Sequence, residues 1–515
     1  MTWLLRIAIP CLLVVVVGLP VFMSSSQRVG RATGGGIPRH RLVVLTPHNE
    51  QIRYEFSHAF NQYRIRQGQP VVVFDWRVSG GTSDLRKLVF DRFAAKVKSG
   101  SEDSGIGVDL FFGGGDYEHG LLARGISTRR GDREMHVPLT MPIDIPPTFL
   151  SQVYPSQKIG SSDLYHPQRR WLGVALSSFG LVYNRDVLVR LGLDEPRTWS
   201  DLAIGEYFNW IVLADPSHSG SIAVTYNLIL RRLGWGDGWS MLRRVFANAR
   251  YFASSASKIP VDVSAGEAAV GMCIDFYGRF QAGAIGGGRV AYVAPRYLTA
   301  ITADPISILR GAPHPDLAHE FVLWLLRPGP QNLWQRRLDL PRVRVAPVRF
   351  ELRRLPVRRD LYTDQYMQGW TDQVNPFDQA MSFPVNMPSF YSVVGLVCHA
   401  MAIDIHGELR DAWRAIISCK EPVRREKMIG VFDQMPSQLV IPWPDDELRE
   451  SWREILHDDD HGRHHEVVSI LAEFVAPLQG GMQDQQWRIE QRSRWIKFFR
   501  ARYQQVRRLA ESDYR

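Results

Sequence analysis

The chain has 515 residues, 45% of them hydrophobic, which is enough for two or more buried cores and excludes a wholly disordered protein. Its formal charge of +9 arises from 62 Lys and Arg spread among 53 Asp and Glu. No basic stripe interleaved with aromatics and no zinc-finger or RNA-binding signature occurs, so the composition speaks against nucleic acid as a partner.

Met1 to Arg6 carries one positive charge and precedes an uncharged apolar run, Ile7 to Met23. This reads as an export segment, and its length leaves two fates open, a cleaved signal or a membrane anchor. Arg31 to His40, with three consecutive glycines, reads as a tether. The expected location is therefore periplasmic or otherwise extracytoplasmic, with the N-terminal segment as the contact with the membrane. Apart from Cys11 in the export segment, only Cys273, Cys398 and Cys419 occur. Their spacing is not that of a metal site, and the sequence leaves open whether Cys398 and Cys419 pair.

From Arg41 the pattern is strand, turn, helix, repeated. Leu42 to Leu45 is a short apolar run, and Ile52, Phe56, Ala59, Phe60 and Tyr63 then recur at helical spacing. Val71 to Trp76 is the next strand, followed by a Ser/Gly/Thr loop and a helix with Leu85, Leu88, Val89 and Phe93 inward. Val108 to Phe112 ends in three glycines. Alternation of this kind predicts a parallel sheet that binds ligands at the carboxyl ends of its strands. A second lobe is expected to open after Trp171, with strands over 173–178, 180–184, 211–214 and 268–274, before the chain returns through Ile306 to Leu309. Beyond about Tyr362 the character changes. Ser392 to Ile417 and Gln485 to Arg508 have helical periodicity, and in the last helix Trp495, Phe499, Tyr503, Val506 and Leu509 share roughly one face.

Three loops follow predicted strands and open predicted helices with small residues: Pro47 to Glu50, Ser79 to Ser83, and Ser217 to Ser221. Helix N-termini offer unpaired N–H groups and a positive dipole end, which suits an anion or a carboxylate. Enzymatic signatures are missing. Ser79 to Asp84 lacks the Gly-Lys-Ser/Thr ending of a phosphate loop, Glu118 stands where a dinucleotide fold needs its third glycine, and no nucleophile elbow or His-Glu-x-x-His helix is present. The His and Asp run from His457 to His465 has ligand-type residues but no fixed-geometry spacing, and reads as a solvated loop. No cofactor and no resident metal are implied.

The phrases Gly180-Leu-Val-Tyr-Asn-Arg-Asp-Val-Leu188, Pro196-Arg-Thr-Trp-Ser-Asp-Leu202, Ala214-Asp-Pro-Ser-His-Ser-Gly-Ser221 and Ala265-Gly-Glu-Ala-Ala-Val-Gly271 appear in this order, and Gly311 to Ala318, Pro328 to Gln331 and Leu355 to Asp360 follow them. In order and spacing, residues 41 to about 362 resemble the extracellular solute-binding proteins of ABC importers, the group that includes ferric-iron, thiamine, phosphonate and polyamine binders. The resemblance implies an α/β, two-lobed periplasmic-binding-protein-like fold of type 2, here with a mainly helical C-terminal extension. It implies three parts: residues 1–40 as export signal or anchor plus tether, 41–362 as the two-lobed domain with crossings near 171–184 and 303–310, and 363–515 as the extension. It also implies ABC permease subunits as partners and a small-molecule or ion ligand. Carried over by position, the pocket draws on His48, Asn49, Ser79, Gly80, Gly81, Thr82, Ser83, Ser177, Ser178, Ser217, Ser219, Ser221, Asp275 and Tyr277. Ferric binders place two adjacent tyrosines where this chain has Phe276 and Tyr277. That leaves an anion on the serine loops, an amine on Asp275, or iron. Two rival functions are a membrane-tethered sensor or assembly protein that uses the extension, and an enzyme acting on a phosphorylated or carboxylated compound.

Overall fold

The computed structural model describes residues 40–130, 133–295, 298–380, 387–455 and 463–511. Its first lobe is built on the apolar runs read above. Strand β1 (His40–Leu45), helix α1 (Glu50–Arg66), β2 (Val72–Arg77), α2 (Thr82–Ser99), β3 (Leu110–Phe112) and α3 (Asp116–Arg124) follow in sequence. The strands β1, β2 and β3 pair in parallel, so their connections must cross over, and the helices supply the crossovers.

The chain then enters β4 (Leu172–Ser177) in the first sheet and, one residue later, β5 (Phe179–Asn184) in a second sheet. Ser178 is thus the first crossing. The second lobe continues through β6 (Ile211–Ala214), α4 (Gly220–Leu233), α5 (Trp235–Asn248), β7 (Ala249–Ala253), β8 (Val270–Ile274), α6 (Asp275–Ile285) and β9 (Val290–Val293). The chain returns to the first lobe as β10 (Thr302–Ile308) and helix α7 (Pro315–Leu325). The expected second crossing at 303–310 is therefore mostly β10 itself, and the passage between lobes lies just before it.

The two sheets have the orders β2-β1-β3-β10-β4 and β7-β6-β8-β5-β9. Each holds one reversed strand in fourth position, β10 in the first sheet and β5 in the second. In both sheets the reversed strand is the one entered directly after a crossing. The carboxyl ends of β1, β2, β3, β6 and β8 consequently all face the cleft, together with the starting end of β10.

The residues past Tyr362 do not form one block. Val374, Phe377 and Ala380 pack on the core of the first lobe, whereas Met387 onward joins the core of the second. The helices α8 (Tyr391–Cys398), α9 (His406–Ser418), α10 (Pro422–Phe432), α11 (His464–Gly481) and α12 (Gln485–Glu511) carry this second part. Trp495, Phe499, Tyr503 and Val506 of α12 are buried in the same continuous core as Trp235, Trp239 and Phe246 of α5. Arg494, Arg500, Arg507 and Arg508 lie on its exposed side, as an amphipathic helix packed on its own protein requires.

The helix read over 392–417 is broken. A π-helical turn at His399–Ile403 separates α8 from α9, and the two parts bend by 65°. The break lets His399 reach Asp215 at the end of β6 with Nε2 (3.0 Å) and Asp404 with Nδ1 (3.0 Å). Among the described residues no single helix is long and apolar enough to cross a membrane. The export segment and His457 to His461 lie outside the described residues. Cys273, Cys398 and Cys419 are free thiols.

Candidate ligand-binding site

Between the lobes lies a cavity of about 60 Å³. At roughly 10–15 Å³ per water-sized sphere, it holds about five such atoms, the size of one oxyanion. Four helices begin at its wall. Thr82 opens α2, Gly115 and Asp116 open α3, Gly220 and Ser221 open α4, and Phe276 lies in the first turn of α6. Each brings first-turn backbone N–H groups, although Phe276 N is already taken by Asp275 Oδ1 and Tyr117 N by Asp116 Oδ1.

At the floor Arg354 is 1% exposed and Asp304 2%. The guanidinium bonds Asp304 Oδ2 at 2.6 Å and donates to Ser177 Oγ at 2.7 Å. It lies 4.1 Å over the Phe276 ring and 5.6 Å from that of Trp334. His48 Nε2 stands 2.9 Å from both Asp304 Oδ2 and Arg354 Nη1, and Gly114 N donates to Asp304 Oδ1 at 2.8 Å. Gly114 has φ +109°, and a Cβ there would strike the Thr82 methyl, so the approach of this loop to Asp304 depends on glycine. Burial alone would raise the Asp304 carboxyl, but Arg354 and His48 outweigh it and hold it below the usual range. Burial lowers His48, which is neutral at pH 7.

Opposite this pair, burial and the neighbouring Glu118 push Asp116 up to about 6. Glu118 is itself raised by burial, against the opposing Tyr391 hydroxyl and Arg86. Its Oε1 accepts from Tyr391 Oη at 2.5 Å, while Oε2 is buried without a partner.

Of the positions expected from sequence, His48, Thr82, Ser177, Ser221 and Tyr277 line the cavity. The others are placed differently. Asn49 caps α1, accepting from Ile52 N, and Ser219 caps α4, accepting from Ile222 N. Ser79 and Gly80 are exposed, and Ser83 is buried behind Thr82. Gly81 touches the opposite lobe, where a Cβ would collide with the His218 carbonyl. Ser217 packs on Gly395 of α8. The Asp275 carboxylate accepts from Ser178 N (3.0 Å), Ser178 Oγ (3.1 Å) and Phe276 N (2.8 Å), so this pair ties the first crossing to α6 and turns away from the cavity. Burial pushes the Tyr277 phenol up to about 12, and its hydroxyl donates to the Pro47 carbonyl at 3.4 Å. Sequence reasoning missed Asp304, Arg354, Thr302, Glu118 and Gly114. The triple glycine after β3 was a usable signal for the last of these.

Residues 141–350 match the family model of the bacterial extracellular solute-binding proteins. The chain resembles that family. The match agrees with the motifs and with the paired sheets, and it associates the chain with solute-binding proteins of ABC-type transport, an extracytoplasmic group. Among curated relatives, the phosphoglycerate transport regulatory protein PgtC of Salmonella typhimurium is 24% identical over 260 residues, 49% of this chain and 59% of that protein. An uncharacterized protein of Haemophilus influenzae is 24% identical over 165 residues, 32% of this chain and 47% of that one. The chain thus spans less than two thirds of the length of these relatives. Among solved structures, the periplasmic binding protein AfuA from Actinobacillus pleuropneumoniae is 19% identical with a TM-score of 0.44, covering 56% of this chain and 79% of that one. Iron-bound HitA from Pseudomonas aeruginosa is 14% identical with a TM-score of 0.48, covering 67% and 93%.

Proposed function

We propose that this protein captures a small anionic solute between its lobes outside the cytoplasm and delivers it to an ABC-type importer. The observation that carries this reading is the convergence of four helix N-termini and the buried Arg354 on one cavity of oxyanion size. An amine reading based on Asp275 has little support, because that carboxylate is engaged by Ser178 and Phe276. The name of the Salmonella relative makes 3-phosphoglycerate the first probe. Calorimetry on the full chain with 3-phosphoglycerate, inorganic phosphate, spermidine and ferric citrate tests the reading. Binding of the anions and not of spermidine is expected, and tight binding of spermidine alone would overturn it.

The carboxylates at the wall give the site a pH signature. An anion is repelled by ionised Asp116, and the repulsion vanishes as Asp116 takes a proton near pH 6. Sulfate keeps its charge over this range, so its affinity reports the protein alone. Affinity for sulfate is expected to rise severalfold from pH 8 to pH 5.5, with proton uptake visible as a dependence on buffer ionisation heat. A flat profile would remove Asp116 from the site.

A second reading, a sensor that retains the solute-binding fold, is favoured by one contact. Tyr391 of the extension bonds Glu118 of the first lobe across the cleft, and its ring meets that of Tyr117 at 4.0 Å. Lobe closure is in this way connected to helices that have no part in the two sheets.

A further inference from the structure

The cleft cavity is not isolated. A polar chamber of about 700 Å³ adjoins it and shares Asp116, Val224 and Thr302 with its wall. Three bodies enclose this chamber: the first lobe through α3, the second through α4, and the extension through Tyr391 and Ser392 of α8 and through Gln479 and Gln483. We propose that the C-terminal extension is part of the ligand site, and that this chamber takes the hydroxylated body of an organic anion whose acid head occupies the cavity.

The inference rests on the anion reading and extends it to a substrate class. A cavity for about five atoms admits the acid group and little else, so a larger ligand needs further space, and the chamber that shares its wall supplies it. That space has the volume of an ordinary small-molecule pocket. The extension contributes a hydroxyl, amides and an aromatic plane to it, groups that both donate to and accept from alcohols. Ser392 Oγ is buried there without a partner, and such a hydroxyl is costly unless something bonds it. Two charged side chains of each sign, Arg124 and Arg231 with Asp116 and Asp163, line the same space, so its charges offset one another. The class is a phosphorylated or carboxylated compound with a hydroxylated body, of ordinary small-molecule size.

Calorimetry on the full chain with inorganic phosphate, glycerol 3-phosphate and glucose 6-phosphate tests this, using the parent protein, Ser392→Phe and Gln483→Ala. One of the esters is expected to bind about tenfold tighter than inorganic phosphate, the margin of one or two added hydrogen bonds. Ser392→Phe fills the chamber and should erase that margin while inorganic phosphate stays within about twofold of the parent, a mutational change smaller than one hydrogen bond. Gln483→Ala, the milder change, should cut the margin about threefold or more on the same scale. The inference is overturned if both esters bind no tighter than inorganic phosphate, or if the margin survives both substitutions. If neither the esters nor phosphate bind the parent protein, the anion reading falls as well.

Discussion

A chain ending at Ala380 is expected to accumulate as insoluble protein. In the intact molecule Trp235 of the second lobe meets Phe390 at 4.8 Å and Phe474 at 5.3 Å, and its indole N–H donates to the Leu439 carbonyl at 2.7 Å. Arg243 is fully buried, donates to the Phe432 and Gln434 carbonyls, and lies 5.1 Å over the Phe499 ring. Every one of these partners is removed by the truncation. Exposing or losing a large apolar side chain costs about 1.5–3 kcal/mol, and the truncation removes the extension's share of one continuous core, including the buried Phe390, Phe432, Phe499 and Tyr503. Their sum is comparable with the whole stability of an ordinary domain, about 5–15 kcal/mol. The first lobe retains its own core, so the failure should be local to the second. Expression followed by size-exclusion chromatography and near-ultraviolet circular dichroism decides it. A monomeric truncated chain that unfolds cooperatively would mean that the second lobe stands without the extension.

This dependence marks the limit of what the sequence discloses. The strands, the loops at their carboxyl ends and the passage between lobes near Ser178 are legible because alternating apolar runs and Ser/Gly loops are local signals. The amphipathic face of α12 is legible for the same reason. The partner of that face is not, since nothing in the pattern of Trp495, Phe499 and Tyr503 specifies that Tyr503 meets the Phe432 ring and donates to the Met401 carbonyl. The site divides along the same line. His48, Thr82, Ser177 and Ser221 are found because strand ends announce them. Asp304 is the third residue of β10, a strand that also holds Thr302 and Ser307, and Arg354 lies among four arginines between 349 and 358, two of them buried, where only the fold places one at the cavity. Asp275 misled because a carboxylate after a strand looks available until Ser178 is seen to occupy it.

Arg354→Met is expected to destabilise the protein by about 3–5 kcal/mol, because it leaves the Asp304 carboxylate buried without its counter-charge. Methionine fills much of the volume between Phe276 and Trp334, so the loss should be electrostatic more than one of packing. The double variant Arg354→Met with Asp304→Asn separates the two roles of the arginine. Asparagine can still accept from Gly114 N, as Asp304 Oδ1 does at 2.8 Å, and it carries no charge, so most of the stability should return. Anion binding should not return with it. If Arg354 faces the ligand, a charge-assisted bond is missing in both variants, and affinity should fall by at least about tenfold in each. Denaturant unfolding and calorimetry with inorganic phosphate on the same three proteins read the two effects apart. Recovery of both stability and affinity in the double variant would make Arg354 a structural partner of Asp304 alone, and the anion would then have to be held by the helix N-termini without it.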